Sequence, residues 1–275
     1  MESFNTAELK KLYIPPSNSH KGQNGKLLII AGSKLFHSSS LWALNVASRI
    51  VDMVFYSSVP ENNQIVMEAK KEFRNGIVIP RAKIENYIKE ADCILIGPGL
   101  PRKEGEEKGD DATLALTENL LKKYPSKKWV IDGGSLQVID PEIIPQNSII
   151  TPHSREFKML FGIEVSEKNV AEMSKKYNII IVTKGPTDLV CSPQKCFKIS
   201  GGNAGMTKGG TGDVLAALMA SLYCKNDAFL SAQAASYINK KAGENLFKKV
   251  GYYFNSSDLV DEIPRTMKEL ILSRK

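Results

Sequence analysis

Six short runs of consecutive apolar residues, each closed by glycine or a small polar cluster, constrain the fold more than any other feature of the chain. They are KLLIIAGS (26–33), MVFYSS (53–58), CILIGPG (93–99), WVIDGGS (129–135), SIITPHS (148–154) and IIIVTKG (179–185). A strand with one face in water alternates apolar and polar residues; these do not, so both of their faces are covered. Helical patterns lie between them, in SSSLWALNVASRI (38–50), DDATLALTENLLKKY (110–124), SREFKMLFG (154–162) and EKNVAEMSKKY (167–177). Strand and helix in alternation predict an α/β fold of three layers, α/β/α, around a central, mostly parallel sheet. A hydrophobic content of 42% over 275 residues is ample for the core of such a sheet. No linker and no repeat divides the chain, so a single domain over 1–275 is expected, with PRKEGEEKGDDA (101–112) as a long exposed loop. After a turn-linked pair, TDLVCSP and KCFKIS, the pattern becomes mostly helical. Asp213 opens an apolar helix that runs to Tyr223, and a second covers about 227–249.

In open parallel sheets ligands bind beyond the carboxyl ends of the strands, where the strand-to-helix loops converge. Gly32-Ser33, Gly97-Pro98-Gly99, Asp132-Gly133-Gly134, Thr151-Pro152-His153 and Lys184-Gly185 all fall at such ends. The stretch SGGNAGMTKGGTGD, from Ser200 to Asp213, adds six glycines and runs directly into the apolar helix. It is not a Walker loop, since Thr207-Lys208-Gly209 stands where Gly-Lys-Ser/Thr is needed, and no strand leads straight into a GxGxxG. What remains is a helix N-terminus whose free N–H groups, at Gly210, Thr211, Gly212 and Asp213, form an anion pocket. The helix dipole favours a carboxylate at Asp213, and a base there can take the proton of a hydroxyl as it attacks phosphorus. The plainer alternative is a capping residue after an ordinary turn. Six glycines and the converging strand ends favour the base.

Charge and cysteine content exclude several function classes. The formal net charge is +7, but the lysines are spread through helical stretches such as AEMSKKYN and NKKAGENLFKKV, with no basic run interleaved with aromatics. That is a solvated face, so neither a nucleic acid nor a membrane is expected as partner. No apolar run approaches the roughly 20 residues of a membrane span. The N-terminal MESFNTAELKKLYIPPSNSHKG lacks the apolar core of a secretory signal, which makes a cytoplasmic protein the expectation. Cys93, Cys191, Cys196 and Cys224 contain no CxxC pair and do not make a zinc site with three histidines. Cys93, in CILIG, is expected to be buried. Cys191 and Cys196 flank the turn SPQK and stand within reach of each other, yet a cytoplasmic setting argues against a disulfide.

GNAGMTKGGTGDVLAAL resembles the signature of the ADP- or ATP-dependent NAD(P)H-hydrate dehydratases, a branch of the ribokinase-like superfamily. NSHKGQNGKLLIIAGS (18–33), ADCILIGPGL (91–100), IITPHSREFKMLFG (149–162) and IIIVTKGPTDLV (179–190) agree in the same order. The resemblance covers the chain from about Ser17 to Gly243, leaving residues 1–16 as an N-terminal extension and no room for the epimerase domain often fused ahead of such dehydratases. It implies a ribokinase-like fold and repair of hydrated NAD(P)H: phosphorylation of the ring hydroxyl by ADP or ATP, then loss of phosphate to restore the double bond. A magnesium ion is expected, with no ligand that can be named, and a homo-oligomer, tetrameric by resemblance.

By the same resemblance Asp213 is the base and Gly210, Thr211 and Gly212 hold the charge on the transferred phosphoryl group. Lys184, Gly185, Pro186, Thr187 and Asp188, with Asn203, Gly205 and Gly212, match the nucleotide-binding segments. Ser39, Gly97, Gly99, Asp132, His153 and Asp213 fall on the side of the hydrated dinucleotide. A solvated turn lysine is the alternative for Lys184, and capping of the next helix the alternative for His153. Glu156 reads as a first-turn capping residue. Asp132, after a buried strand, must have a partner. Three departures lie on the substrate side: Ser38-Ser39 in place of Gly-Ala, Pro101 in place of a glycine, and Gly134 in place of a second aspartate. They leave a small-molecule kinase of the same superfamily, thiazole- or vitamin-type, as the rival reading. A silent nucleotide- or nucleic-acid-binding protein ranks below both, because a binder has no need of a base at Asp213.

Overall fold

The computed structural model describes residues 2–102 and 105–272. Its strands are β1 (Glu2–Ser3), β2 (Lys26–Ile30), β3 (Met53–Ser57), β4 (Ile77–Val78), β5 (Cys93–Ile96), β6 (Lys128–Ile131), β7 (Ile149–Ile150), β8 (Ile180–Thr183), β9 (Thr187–Cys191) and β10 (Cys196–Ser200). They form one sheet in the order β1-β10-β9-β8-β7-β6-β5-β2-β3-β4. Only β9 runs antiparallel to its neighbours, through its pairing with β8 and β10. The expected three-layer, mostly parallel α/β/α architecture is therefore the observed one.

Successive residues of each strand enter opposite cores, as the two-sided apolar runs require. In β2, Leu27 and Ile29 join one cluster and Leu28 and Ile30 the other. The first cluster is covered by α1 (His37–Ala47), α8 (Thr211–Tyr223), α9 (Ala228–Val250) and α10 (Ser256–Met267). The second lies under α3 (Ile84–Glu90), α4 (Thr113–Lys123), α6 (Ser154–Phe161) and α7 (Glu167–Tyr177). Helix α8 buries every residue from Val214 to Tyr223, which explains its lack of a polar face. The N-terminal extension is part of the fold, since β1 pairs with β10 and Leu9 and Leu12 are buried.

Several elements differ from the sequence reading. The apolar runs overestimate the strands, because their glycine-rich ends have already left the sheet: β6 stops at Ile131, and residues 133–136 form a short helix, α5 (Gly133–Leu136). Helix α2 (Pro60–Ala69) is absent from the reading because PENNQIVMEA carries little apolar periodicity, and α3 anchors itself with only Ile84 and Ile88. Helix α8 begins two residues before Asp213, with Gly210 as its N-cap. Cys93 is buried as expected. The disulfide argument is corrected: Cys191 and Cys196 are bonded. The register of the β9–β10 hairpin sets them directly opposite, with Cα atoms 4.1 Å apart, so local geometry decides the matter.

Candidate active site

The converging loops enclose two cavities that meet at a common wall. One, of about 640 Å³, lies between the Lys184–Pro186 turn, the Gly201–Met206 loop, and helices α8 and α9. The other, of about 580 Å³, lies between the N-terminus of α1, the Gly99–Leu100 turn, the end of β6, and the N-terminus of α8. His153, Lys184 and Gly212 line both. Asp213 faces the second cavity only, one residue beyond the shared wall.

The first turn of α8 is held rigidly in place. Gly210 takes a left-handed conformation at φ 93°, and a Cβ there would lie 2.2 Å from the Trp42 ring. No other residue type fits. The Thr211 hydroxyl donates to the Met206 carbonyl at 2.7 Å, and the Ser256 hydroxyl donates to the Gly209 carbonyl at 2.7 Å. The Lys208 ammonium donates to the Tyr252 carbonyl. The Thr211 N–H is taken by the Lys208 carbonyl at 3.4 Å, which leaves Gly212, in the lining of both cavities, as the residue of this fixed frame placed to offer an N–H to an anion.

Asp213 is not the cap of α8, since it sits at the third helical position and Gly210 makes no side-chain cap. Its half-buried carboxylate is pushed from the ordinary 3.8 to about 7. Burial is the largest cause and repulsion from Asp132 the next. A hydrogen bond from Ser39 and the Lys184 charge pull the other way, and Glu156 adds to the repulsion. Such a group is divided between acid and base at neutral pH, as a proton-transfer residue needs to be.

Lys184 directly follows β8 and donates to Asp132 Oδ1 at 2.6 Å, with Glu156 Oε2 4.0 Å away. It is not a solvated turn residue. Burial alone would lower its pKa, but the Asp132, Glu156 and Asp213 carboxylates outweigh burial and hold it above the ordinary lysine value. The partner that Asp132 required is double, because the Thr151 hydroxyl also donates to Oδ1 at 2.7 Å. His153 caps α6 and lines the cavities as well: its Nδ1 accepts the Glu156 N–H at 3.1 Å, and Glu156 Oε2 accepts the His153 N–H at 3.0 Å. With Nδ1 an acceptor, the ring proton resides on Nε2, 3.5 Å from Glu156 Oε1. Glu156 is the capping residue expected, and it also accepts from Gln137 at 3.0 Å.

The remaining predicted positions divide. Lys184, Gly185, Pro186, Asp188, Asn203, Thr211 and Gly212 line the larger cavity. Asp188 works there through the backbone, accepting from the Gly185 N–H at 3.0 Å and from Ser236 at 2.6 Å. Asn203 is likewise spent on the loop, accepting from Gly205 N–H and donating to the Gly243 carbonyl. Thr187 is exposed and faces a neighbouring groove. Gly205 is packed under Phe254. Ser39, Gly99, Asp132, His153 and Asp213 line the smaller cavity. Gly97 does not: a Cβ there would be 1.8 Å from the Asp132 carbonyl, so it allows two strand ends to approach. Trp42 and Arg102, which also line this cavity, carried no motif that would have singled them out.

A glycine-bounded helix start lies at the wall shared by two cavities, with a carboxylate of pKa about 7 facing one of them. A family model described as NAD(P)H-hydrate dehydratase matches residues 27–265. The chain belongs to that family. It is 34% identical over 287 residues to the ADP-dependent (S)-NAD(P)H-hydrate dehydratase of Nitrosopumilus maritimus, covering 96% of each chain. It is 37% identical over 271 residues to the bifunctional NAD(P)H-hydrate repair enzyme Nnr of Methanocaldococcus jannaschii, covering 95% of this chain and 52% of that one. It thus spans about half the length of the bifunctional relatives of this dehydratase family. Among solved structures, the ADP/ATP-dependent NAD(P)H-hydrate dehydratase of Bacillus subtilis co-crystallised with ATP/Mg2+ superposes with a TM-score of 0.80 at 21% identity, over 98% of both chains. A ribokinase-like superfamily protein of Enterococcus faecalis superposes with a TM-score of 0.83 at 21% identity, over 98% of this chain and 96% of that one. The fold is ribokinase-like. Among the described residues no helix is long and apolar enough to cross a membrane.

Proposed function

We propose that the chain catalyses nucleotide-dependent dehydration of the S-form of hydrated NAD(P)H, with ADP, or alternatively ATP, as phosphoryl donor. The observation that carries this reading is the position of Asp213: a carboxylate at pKa about 7, on the substrate side of a wall built from Gly212 and Lys184. The larger cavity takes the donor, with its phosphates toward Gly212 and the smaller takes the hydrated ring. Both volumes fall in the range of ligand pockets.

Bound ADP supplies an activated phosphoryl group. Asp213 takes the proton of the ring hydroxyl as its oxygen attacks the terminal phosphorus. The N–H group of Gly212 receives the charge that develops on the phosphoryl oxygens. Lys184, fixed by Asp132, adds a cation at the crossing point. The ring nitrogen then expels phosphate from the ring carbon, and loss of a proton from the adjacent carbon restores the double bond. With ADP the products are AMP, phosphate and NAD(P)H. Hydroxide leaves poorly and phosphate well, which is why a kinase-like site serves a dehydration.

Among the described residues no three His, Cys, Asp or Glu side chains converge as a metal-ligand group. The magnesium ion expected for the reaction would neutralise charge on the transferred phosphoryl group, and no residue is named as its ligand. Homo-oligomerisation, as a tetramer, and a cytoplasmic location belong to the same reading; light scattering and cell fractionation test them. The decisive assay mixes prepared NADH hydrate, magnesium and either ADP or ATP, and follows the near-ultraviolet absorbance of the reduced ring. Recovery that requires one nucleotide supports the reading and identifies the donor. A flat trace with accumulation of a stable phosphate ester would establish the kinase instead.

A further inference from the structure

The larger cavity has a lining of two chemically different kinds. Two lysines line it, and only one is available to a phosphate. Lys184 stands at the shared wall beside Gly212. Lys240 is buried, and its ammonium is consumed by the Gly185 carbonyl at 2.8 Å, the Pro186 carbonyl at 3.2 Å and Asp188 Oδ1 at 3.2 Å. Pro186, Met206 and Leu215 add apolar surface to the lining, and among the described residues that line it Lys184 is the one lysine left for a phosphate. A flat neutral ring suits that apolar surface, and a phosphate does not.

The lining carries one polar anomaly. Asn239 on α9 is 4% exposed, lines the cavity, and holds an Oδ1 atom with no hydrogen-bond partner. A buried acceptor without a donor costs free energy that folding does not recover, so such groups are retained where a ligand completes them. A half-turn about the last side-chain bond of Asn239 would exchange the two ends of its carboxamide and present Oδ1 to the cavity. A carboxamide matches the edge of adenine, its carbonyl accepting from the 6-amino group and its NH2 donating to a ring nitrogen. On the edge formed by the 6-substituent and N7, hypoxanthine and guanine present only acceptors and leave the carbonyl unpaired.

We propose that Asn239 selects adenine, with Oδ1 accepting a hydrogen bond from the 6-amino group of the bound nucleotide. The inference rests on the reading of this cavity as the donor site and adds to it the residue that determines base specificity. A site that rejects a ligand for lack of one hydrogen bond discriminates strongly, because its own buried group is left unmet.

Calorimetric titration of the full chain with ADP and with inosine diphosphate, in the absence of the dinucleotide, tests the proposal without reference to turnover. The two ligands differ in a 6-amino against a 6-oxo group. ADP is expected to bind at least about tenfold more tightly, equivalent to about 1.4 kcal/mol. Asn239→Leu is expected to weaken ADP by about that factor and leave inosine diphosphate unchanged, so the preference vanishes. Asn239→Asp retains an acceptor and is expected to retain the preference. Equal binding of both ligands to the natural chain, or an unchanged ratio in Asn239→Leu, overturns the assignment of Asn239 and leaves the donor site standing. Binding of neither ligand overturns the donor site and the inference with it. Should Asn239→Leu fail to fold, the natural chain and Asn239→Asp still decide through the same ratio.

Discussion

Replacing Asp213 with asparagine is expected to remove turnover and, at the same time, stabilise the protein. The carboxylate has a pKa of about 7 in the folded chain against 3.8 ordinarily. The folded state therefore binds this proton more tightly than the unfolded state. The sign follows: ionisation of Asp213 costs no stability below about pH 4, an increasing amount between pH 4 and 7, and a constant amount above. At about 1.4 kcal/mol per pH unit the full cost is ~4 kcal/mol, and solvent reaching the carboxylate through the cavity reduces it to about 2 kcal/mol. Asparagine keeps an acceptor for Ser39 and carries no charge, so that cost disappears.

Thermal unfolding of the variant and the natural chain at acid and alkaline pH measures the difference. At alkaline pH the variant is expected to melt higher by about 4 °C, at roughly 2 °C per kcal/mol for a domain of this size, and the two curves should coincide below about pH 4. Turnover should fall by about 10²- to 10⁴-fold, as for loss of a general base, with nucleotide affinity retained. In the natural chain the rate should rise with pH through about 7 as Asp213 ionises. A variant no more stable than the natural chain at alkaline pH would refute the electrostatic argument. Near-normal turnover would refute the assignment of the base.

Three further perturbations test the frame around it. A Cβ at Gly212 would lie 3.4 Å from Lys184 Nζ, in the wall between the cavities, so Gly212→Val should weaken ADP binding and reduce turnover each by about tenfold or more, an effect of about 1.4 kcal/mol; normal kinetics would defeat the anion pocket. Lys184→Met leaves Asp132 buried without its cation and should lower stability by about 3 kcal/mol in denaturant melts, where an unchanged midpoint would show the pair to be superficial. Thiol titration of the denatured, unreduced chain should find only Cys93 and Cys224 reactive, and the double variant Cys191→Ser/Cys196→Ser should lose about 2 kcal/mol by loop-closure entropy. Four reactive thiols before reduction would dispose of the bond.

The architecture was legible in the sequence because its determinants are local. Runs such as CILIG and WVI are apolar on both faces over three to five residues, and that suffices to identify a covered parallel strand. The start of α8 was equally plain, since glycines, a junction aspartate and an apolar run follow one another within a few positions. Among the elements that escaped notice were α2, whose residues are mostly polar, and α3, which relies on two isoleucines. Their burial is settled by what packs on them, and no periodicity announces it.

The site divides along the same line. The residue types at the strand ends were visible from the sequence, and so was the candidate base. Only the tertiary structure decided what each does, because the deciding partners lie far away along the chain. Lys184 meets Asp132 across 52 positions, Lys240 reaches the Gly185 carbonyl across 55, and Asn203 bonds Gly243 across 40. These pairings turn Lys184 from a turn lysine into the cation between two cavities, and withdraw Lys240 from any ligand. Tertiary packing likewise leaves Asn239 Oδ1, in the lining of the larger cavity, among the buried polar atoms without a partner. The pKa of Asp213 belongs to the same class, since burial and a carboxylate from another strand set it. Short-range pattern determines which elements form. Long-range packing determines which polar groups are satisfied within the protein and which remain for a ligand.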